Sequence, residues 1–231
     1  MPARRPIHLG FATTRHCESM YVPSHFAESR IEVLHQLIRA RPLATLVTLN
    51  AGGLNANHIP FELDPEPPPL GTLRGHVARA NPVWRAFSRE FEALVIFRGP
   101  EAYVSPSWYP SKTESGEVVP TYNYIVAHGY GEMKIVDERE WLRGLVTRLT
   151  NRFEAGGDAP WQVTDAPPAF IDKQLGAIVG IEIALTRLIG KWKVSQNRPA
   201  KDRDGVVQKL SESTDAESVA VAQWVKDKAP A

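Results

Sequence analysis

Five strand-like runs follow one another between Leu43 and Val136 with one short helix among them, and that order constrains the fold more than any other feature. A parallel sheet needs a crossover of a dozen or more residues, usually a helix, between successive strands. Leu43 to Asn50 (LATLVTLN) is β-branched and apolar, Ala51-Gly52-Gly53 is a turn, and Leu54 to Leu63 alternates as the returning strand of a hairpin. Gly71 to Val77 is the third run, and Ala93 to Arg98, continued by Ala102 to Ser105, is the fourth. Thr121 to Val136 is predicted as one long strand, bent or bulged at Gly129 and Gly131. Asp64 to Leu70 (DPEPPPL) is a stiff loop that neither helix nor strand can enter. The predicted fold is mainly β with peripheral helices (α+β), an antiparallel barrel rather than a doubly wound sheet.

The helical signals flank this core. Ser29 to Arg41 puts Ile31, Leu34, Leu37 and Ile38 on one face and is followed by Pro42. Asn81-Pro82 opens a short helix through Phe87. Asp137 to Phe153 is the clearest helix, with Asp137 expected as N-cap and Glu140 completing a capping box. Pro167 to Leu175 is a short helix, Ala177 to Leu188 a strand that Trp192 to Ser195 prolongs. Pro199 to Leu210 and a helix capped by Thr214-x-x-Glu217, running to about Lys226, form a terminal pair. The expected organisation is a leader over residues 1–19, with Met20 as an alternative start, a barrel domain over 20–200 and a helical segment over 201–231.

Several function classes are excluded. The 27 Lys and Arg balance 26 Asp and Glu, so the chain as a whole is not a basic phosphate-gripping surface. Its one cysteine, Cys17, forbids an intrachain disulfide and lies in the leader, a poor place for a catalytic thiol. There is no GxGxxG, GxxxxGK[ST], HExxH or GxSxG. His58 and His76 lie on neighbouring predicted strands, but no carboxylate or thiol spacing completes a metal site, so none is assigned. The most apolar stretch, Ala177 to Ile189, is 13 residues and is cut by Glu182 and Arg187, short of the roughly 20 a membrane span needs. The expected location is the cytoplasm.

Four ordered blocks carry a resemblance. They are Met20-Tyr21-Val22-Pro23-Ser24-His25-Phe26, Gly75-His76-Val77-Ala78-Arg79-Ala80-Asn81-Pro82, Val119-Pro120-Thr121-Tyr122-Asn123-Tyr124, and Gly190 to Arg198 (GKWKVSQNR). From about Met20 to Leu210 the sequence resembles the PaiB family, described as FMN-binding negative transcriptional regulators. Tyr122 stands where that family usually has Trp. The resemblance implies the FMN-binding split β-barrel of the pyridoxamine-phosphate-oxidase-like flavoproteins, homodimers with flavin held between subunits.

FMN needs cations and hydrogen-bond donors for its phosphate, and an apolar wall with a few placed polar groups for its ring. The strand-to-helix junction at residues 75–82 suits the phosphate, and the resemblance carries that role to His76, Arg79 and Asn81; otherwise the segment is a structural junction with Asn81 as a plain cap. Asn57 and His58 suit the polar edge of the ring, or line the barrel as satisfied core residues. Lys112, Tyr122 and Asn123, with Trp108, Tyr109 and Tyr124, form an aromatic group that is either a lid over the flavin or dimer packing. Lys191 and Gln196 lie in a basic stretch: Arg187 to Lys209 holds seven Lys and Arg against two Asp. That stretch reaches the flavin phosphate of a facing subunit, contacts DNA, or is a solvated face. The expected function is a flavin-dependent redox or sensing protein of the PaiB type, with a DNA-binding repressor dimer or a cofactor-less interaction dimer as alternatives.

Overall fold

In the computed structural model, which describes residues 20–228, the strands part into two antiparallel sheets instead of closing into one ring. The expected leader over 1–19, with Cys17, lies outside the described residues. The larger sheet contains β1 (Ala27–Glu28), β2 (Leu43–Asn50), β3 (Gly53–Pro60), β6 (Ala93–Val104), β7 (Thr121–Gly131) and β10 (Arg187–Lys193), in the order β1-β10-β7-β6-β2-β3. The smaller contains β4 (Glu62–Asp64), β5 (Thr72–Ala78), β8 (Met133–Val136) and β9 (Ile178–Ala184), in the order β4-β5-β9-β8. This is a split β-barrel with helices around it.

The chain passes between the sheets four times, once through residues 79–92 between β5 and β6 and three times at breaks within strand-like runs. Pro60 ends β3, since it has no N–H to carry the ladder on, and Phe61 turns its own N–H to the Pro42 carbonyl at 2.9 Å before β4 begins in the other sheet. The long strand expected over 121–136 is two strands, β7 and β8, divided at Glu132. The strand expected over 177–188 is likewise divided between β9 and β10 by Leu185 and Thr186, whose N–H groups bond the carbonyls of Gly71 at 3.0 Å and Tyr130 at 2.9 Å. Alternation along a strand records which side is buried but not which sheet the strand has joined. At the second break only glycine fits: a Cβ on Gly131 would lie 2.2 Å from the Ala184 carbonyl oxygen.

Between the sheets lies the main core, with Leu46, Phe61, Leu73, Val95, Phe97, Ile181 and Ile183 fully buried. Phe61 and Phe97 meet edge to face at 6.4 Å, and each buried side chain of this size contributes about 1.5–3 kcal/mol. Helix α1 (Ile31–Ala40) buries Leu34, Leu37 and Ile38, as its spacing predicted. After α2 (Val83–Ala86) and α3 (Ser111–Glu114), α4 (Arg139–Glu154) and α5 (Pro168–Gly176) enclose a second, smaller cluster of Leu142, Val163, Ile171 and Leu175. Helix α4 seats on the smaller sheet at Gly180, where a Cβ would strike the Trp141 ring at 2.4 Å. Helices α6 (Ala200–Ser211) and α7 (Ala216–Asp227) add Val206, Leu210, Val221 and Val225 to the main core.

Two expected caps are corrected. The N-cap of α4 is Glu138 and no side chain caps it, because the Asp137 carboxylate is held by Arg79. The last helix is capped by Asp215, not Thr214: its Oδ2 accepts from the Ser218 N–H at 2.9 Å.

Glu28, on β1, ties the two ends of the described chain together. Its carboxylate accepts from Arg30 at 2.8–3.0 Å and from Lys228 beyond α7. Burial raises its pKa, but the hydrogen bonds from Arg30 and Lys228 outweigh that and lower it to about 2. The folded pKa lies below the unfolded one, so this stabilisation is present above pH 4.5 and is lost as the pH falls toward 2. Urea unfolding at pH 7 and pH 3 is expected to show an acid loss to which Glu28 contributes on the order of 2–3 kcal/mol, with Glu28→Gln removing that share; an unchanged acid loss in the variant refutes it. Gly131→Ala is expected to cost about 2–4 kcal/mol in the same measurement, and a cost below about 0.5 kcal/mol would show that the corner opens freely.

Candidate functional site

Residues directly opposite in an antiparallel ladder share a face of the sheet. In the larger sheet Leu46 and Val95 are opposite one another and buried at 0%, so they mark the inner face. The outer face then carries His58, Thr45, Ile96, His128 and Ile189 in one row across five strands, and Ala56, Val47, Leu94, Tyr130 and Arg187 in the next. In the smaller sheet Leu73, Gly75 and Val77 face the core, which turns His76 outward, opposite Gly180.

The gap where the sheets separate beside β3 is a groove of about 350 Å³ lined by Asn57, His58, Pro60, His76, Asn81 and Ile178. Four residues expected at a cofactor site therefore converge on it from two sheets and the turn after β5. Asn81 organises them. Its Oδ1 accepts from the Val83 N–H at 2.9 Å, starting α2, and its Nδ2 donates to Asn57 Oδ1 at 2.7 Å. Asn57 in turn donates to Asn55 at 2.6 Å. His58 Nδ1 stands 3.2 Å from the Thr45 hydroxyl. His76 Nδ1 is buried without a hydrogen-bond partner. Burial lowers the His76 pKa, so the ring is neutral near pH 7 and keeps one donor and one acceptor.

Arg79 is not brought to this groove. It lines a separate small cleft with Asp137, Leu142 and Leu175. Its guanidinium makes a two-pronged pair with Asp137 at 2.5 and 2.8 Å and donates to the carbonyls of Gly176 at 2.8 Å and Ile178 at 2.9 Å. Those bonds lower the Asp137 pKa and raise that of Arg79. The residue locks the turn after β5 to the start of β9 and α4.

The remaining expected residues divide. Lys191 and Lys193 alternate with buried Trp192 and so share the outer face of the larger sheet with Tyr122 and Tyr124. Lys191 donates to the Tyr21 carbonyl at 3.0 Å, with its ammonium 5.4 Å from the Tyr124 ring centre. Lys193 donates to the Tyr122 carbonyl at 2.7 Å. Burial lowers the Lys193 pKa, and the neighbouring charges of Lys191 and Arg198 lower it further. Among the described residues no carboxylate forms an ion pair with any of these three cations. Asn123 is buried and donates to Ser195 Oγ at 2.9 Å. Gln196 folds back on its own turn, accepting from the Val194 N–H at 2.8 Å and donating to the Trp192 carbonyl at 2.5 Å. Both hold the β10 end in place. Lys112 is exposed on α3. Lys193 was not among the expected site residues, although the two-residue spacing from Lys191 on a strand was the signal for it.

Residues 20–187 match the family described as "Putative FMN-binding domain". An uncharacterized protein of Emericella nidulans is 36% identical over 223 residues, covering 81% of this chain and 89% of its own length. The Bacillus subtilis protein named protease synthase and sporulation protein PAI 2 is 31% identical over 209 residues, covering 90% of this chain and 98% of its own. The flavocytochrome Anf3 of Azotobacter vinelandii superposes with a TM-score of 0.56 at 11% identity, covering 72% of this chain and 69% of that one. An FAD and heme binding protein of Mycobacterium smegmatis gives 0.53 at 24% identity, covering 71% of each chain. These two likenesses concern the fold, and no helix among the described residues is long and apolar enough to cross a membrane. With the matched residues spanning both sheets and the groove between them, the chain belongs to the PaiB-type family of FMN-binding proteins, a flavin-binding split barrel with FMN as its cofactor.

Proposed function

We propose that the protein is an FMN-dependent redox or sensing protein acting as a homodimer, with each flavin held where the groove of one copy meets the basic end of the other. The observation that carries this reading is a separation of chemistries. The groove offers hydrogen-bonding groups but no free cation, since Arg79 is engaged by Asp137. Lys191, Lys193 and Arg198 offer positive charge without a carboxylate partner among the described residues, on or beside the outer face of the same sheet that carries His58.

FMN fits both halves. Its nearly dianionic phosphate calls for charge-assisted donors, which the basic end has in excess. Its ring edge calls for a few placed polar groups, which Asn57, Asn81 and the partnerless Nδ1 of neutral His76 would provide. Bound there, FMN would supply hydride and single-electron transfer, while the chain binds and orients it.

A two-fold partner is the natural cover for the outer face. Leu43, Leu54, Tyr103 and Tyr122 all stand on it, between 48% and 82% exposed. Large apolar side chains left open along one sheet face favour an interaction surface. A repressor touching DNA through the dimer is the second reading, favoured by the basic run from Arg187 to Lys209. Much of that run is already matched, Lys201 by Glu114, Lys209 by Glu212 and Arg203 by the Arg198 carbonyl, which leaves little for a phosphate backbone.

Equilibrium titration with FMN and riboflavin tests the assignment. Lys193→Ala is expected to weaken FMN about tenfold, the loss of about 1.4 kcal/mol, while leaving riboflavin unchanged; equal weakening of both ligands would remove the phosphate role. Protein that is colourless and takes up no FMN supports the cofactor-less dimer instead. Leu54→Asp is expected to convert a dimer to a monomer in sedimentation, and a monomer in the unaltered protein sinks the shared site.

A further inference from the structure

A second chamber, of about 310 Å³, lies behind the cofactor groove, between the outer face of the smaller sheet and helices α4 and α5. Its walls are Val146, Val163, Ile171 and Ile178. Two aromatic rings stand at its mouth, Trp161 at 43% and Phe170 at 51% exposure. The hollow opens to solvent between these rings, and large apolar side chains left exposed beside an apolar hollow mark a place where something binds. The polar groups on the wall are neutral: the Thr150 hydroxyl, the Gln174 amide and His76, whose Nδ1 is buried without a partner. No Lys, Arg, Asp or Glu among the described residues lines the chamber. His76 and Ile178 also line the cofactor groove, so the two spaces share a wall.

We propose that this chamber is a binding site, separate from the cofactor groove, for a small uncharged aromatic molecule carrying one hydrogen-bonding group. The volume is at the lower end of known small-molecule sites, enough for one or two fused rings. Trp161 and Phe170 offer ring faces and edges against which a flat guest stacks. The absence of a countercharge on the wall selects against ions, because an unpaired charge loses its hydration on entry and regains nothing. The one polar group of the guest meets Thr150 or Gln174.

Calorimetric titration of the full chain with 2-naphthol, uncharged at neutral pH, and with 2-naphthoate, its anionic counterpart, tests the proposal. One 2-naphthol per chain is expected, with 2-naphthoate at least about tenfold weaker, the direction that unpaired desolvation of a charge requires. Phe170→Ala, a change at an exposed position, is expected to weaken 2-naphthol about fivefold, within the range of a lost aromatic contact. Thr150→Phe, which fills the chamber, is expected to abolish binding, with its melting curve reporting whether it folds. Asn81→Ala, which removes the Asn57 contact in the cofactor groove and the cap on α2 but touches no chamber residue, is expected to keep 2-naphthol binding even where FMN is lost. No uptake of 2-naphthol, equal uptake of the anion, or binding that Asn81→Ala removes and Phe170→Ala leaves untouched would each overturn the proposal. Because the titration works with or without bound FMN, failure of the cofactor assignment and failure of the chamber give different results.

Discussion

The site depends on the parting of the sheets, and that parting depends on one close approach. At Gly131 the backbone of β7 passes against the Ala184 carbonyl with no room for a side chain. There the chain leaves the larger sheet and starts β8 in the smaller, while Ala184 ends β9 just before the return to β10. Two of the three breaks are thus the same corner seen from two strands. At the opposite edge a closed barrel would pair β3 with β5 continuously. Instead Pro60 stops the ladder, and Asn57, His58, His76 and Asn81 face a groove rather than a hydrogen-bonded seam.

Electrostatics assigns separate tasks to charges that look alike along the chain. Arg79 has every guanidinium nitrogen engaged, so it works as a structural clamp between β5, β9 and Asp137. Lys191, Lys193 and Arg198 sit close together without a carboxylate partner among the described residues, and their crowding is what depresses Lys193 beyond the effect of burial. His76 is kept neutral by burial, which makes it a hydrogen-bonding wall rather than a charge.

The two outer faces of the split barrel are treated differently. Helices α4 and α5 cover that of the smaller sheet, seated where Gly180 lets the Trp141 ring lie against the strand. The outer face of the larger sheet keeps Leu43, Leu54, Tyr103 and Tyr122 exposed. The covered face borders the apolar chamber and the bare one carries the cations, and the groove lined by Asn57, His58, His76 and Asn81 lies where the two sheets part.

The sequence by itself determined the antiparallel class, the first hairpin and helix α1, because these rest on local period and turn chemistry. It also placed Asn57, His58, His76 and Asn81 near one another, through the resemblance it carries. Only the tertiary structure decided that the runs over 54–63, 121–136 and 177–188 split between sheets, since alternation is the same whichever partner a strand takes. It likewise decided that Asp137 holds Arg79 rather than capping α4, across 58 positions of sequence, and that Lys193 joins Lys191 on the outer face while Asn123 and Gln196 turn inward to hold a strand end. A side chain's neighbours are set by strand pairing, and strand pairing is settled by the packing of the whole core rather than by any one segment.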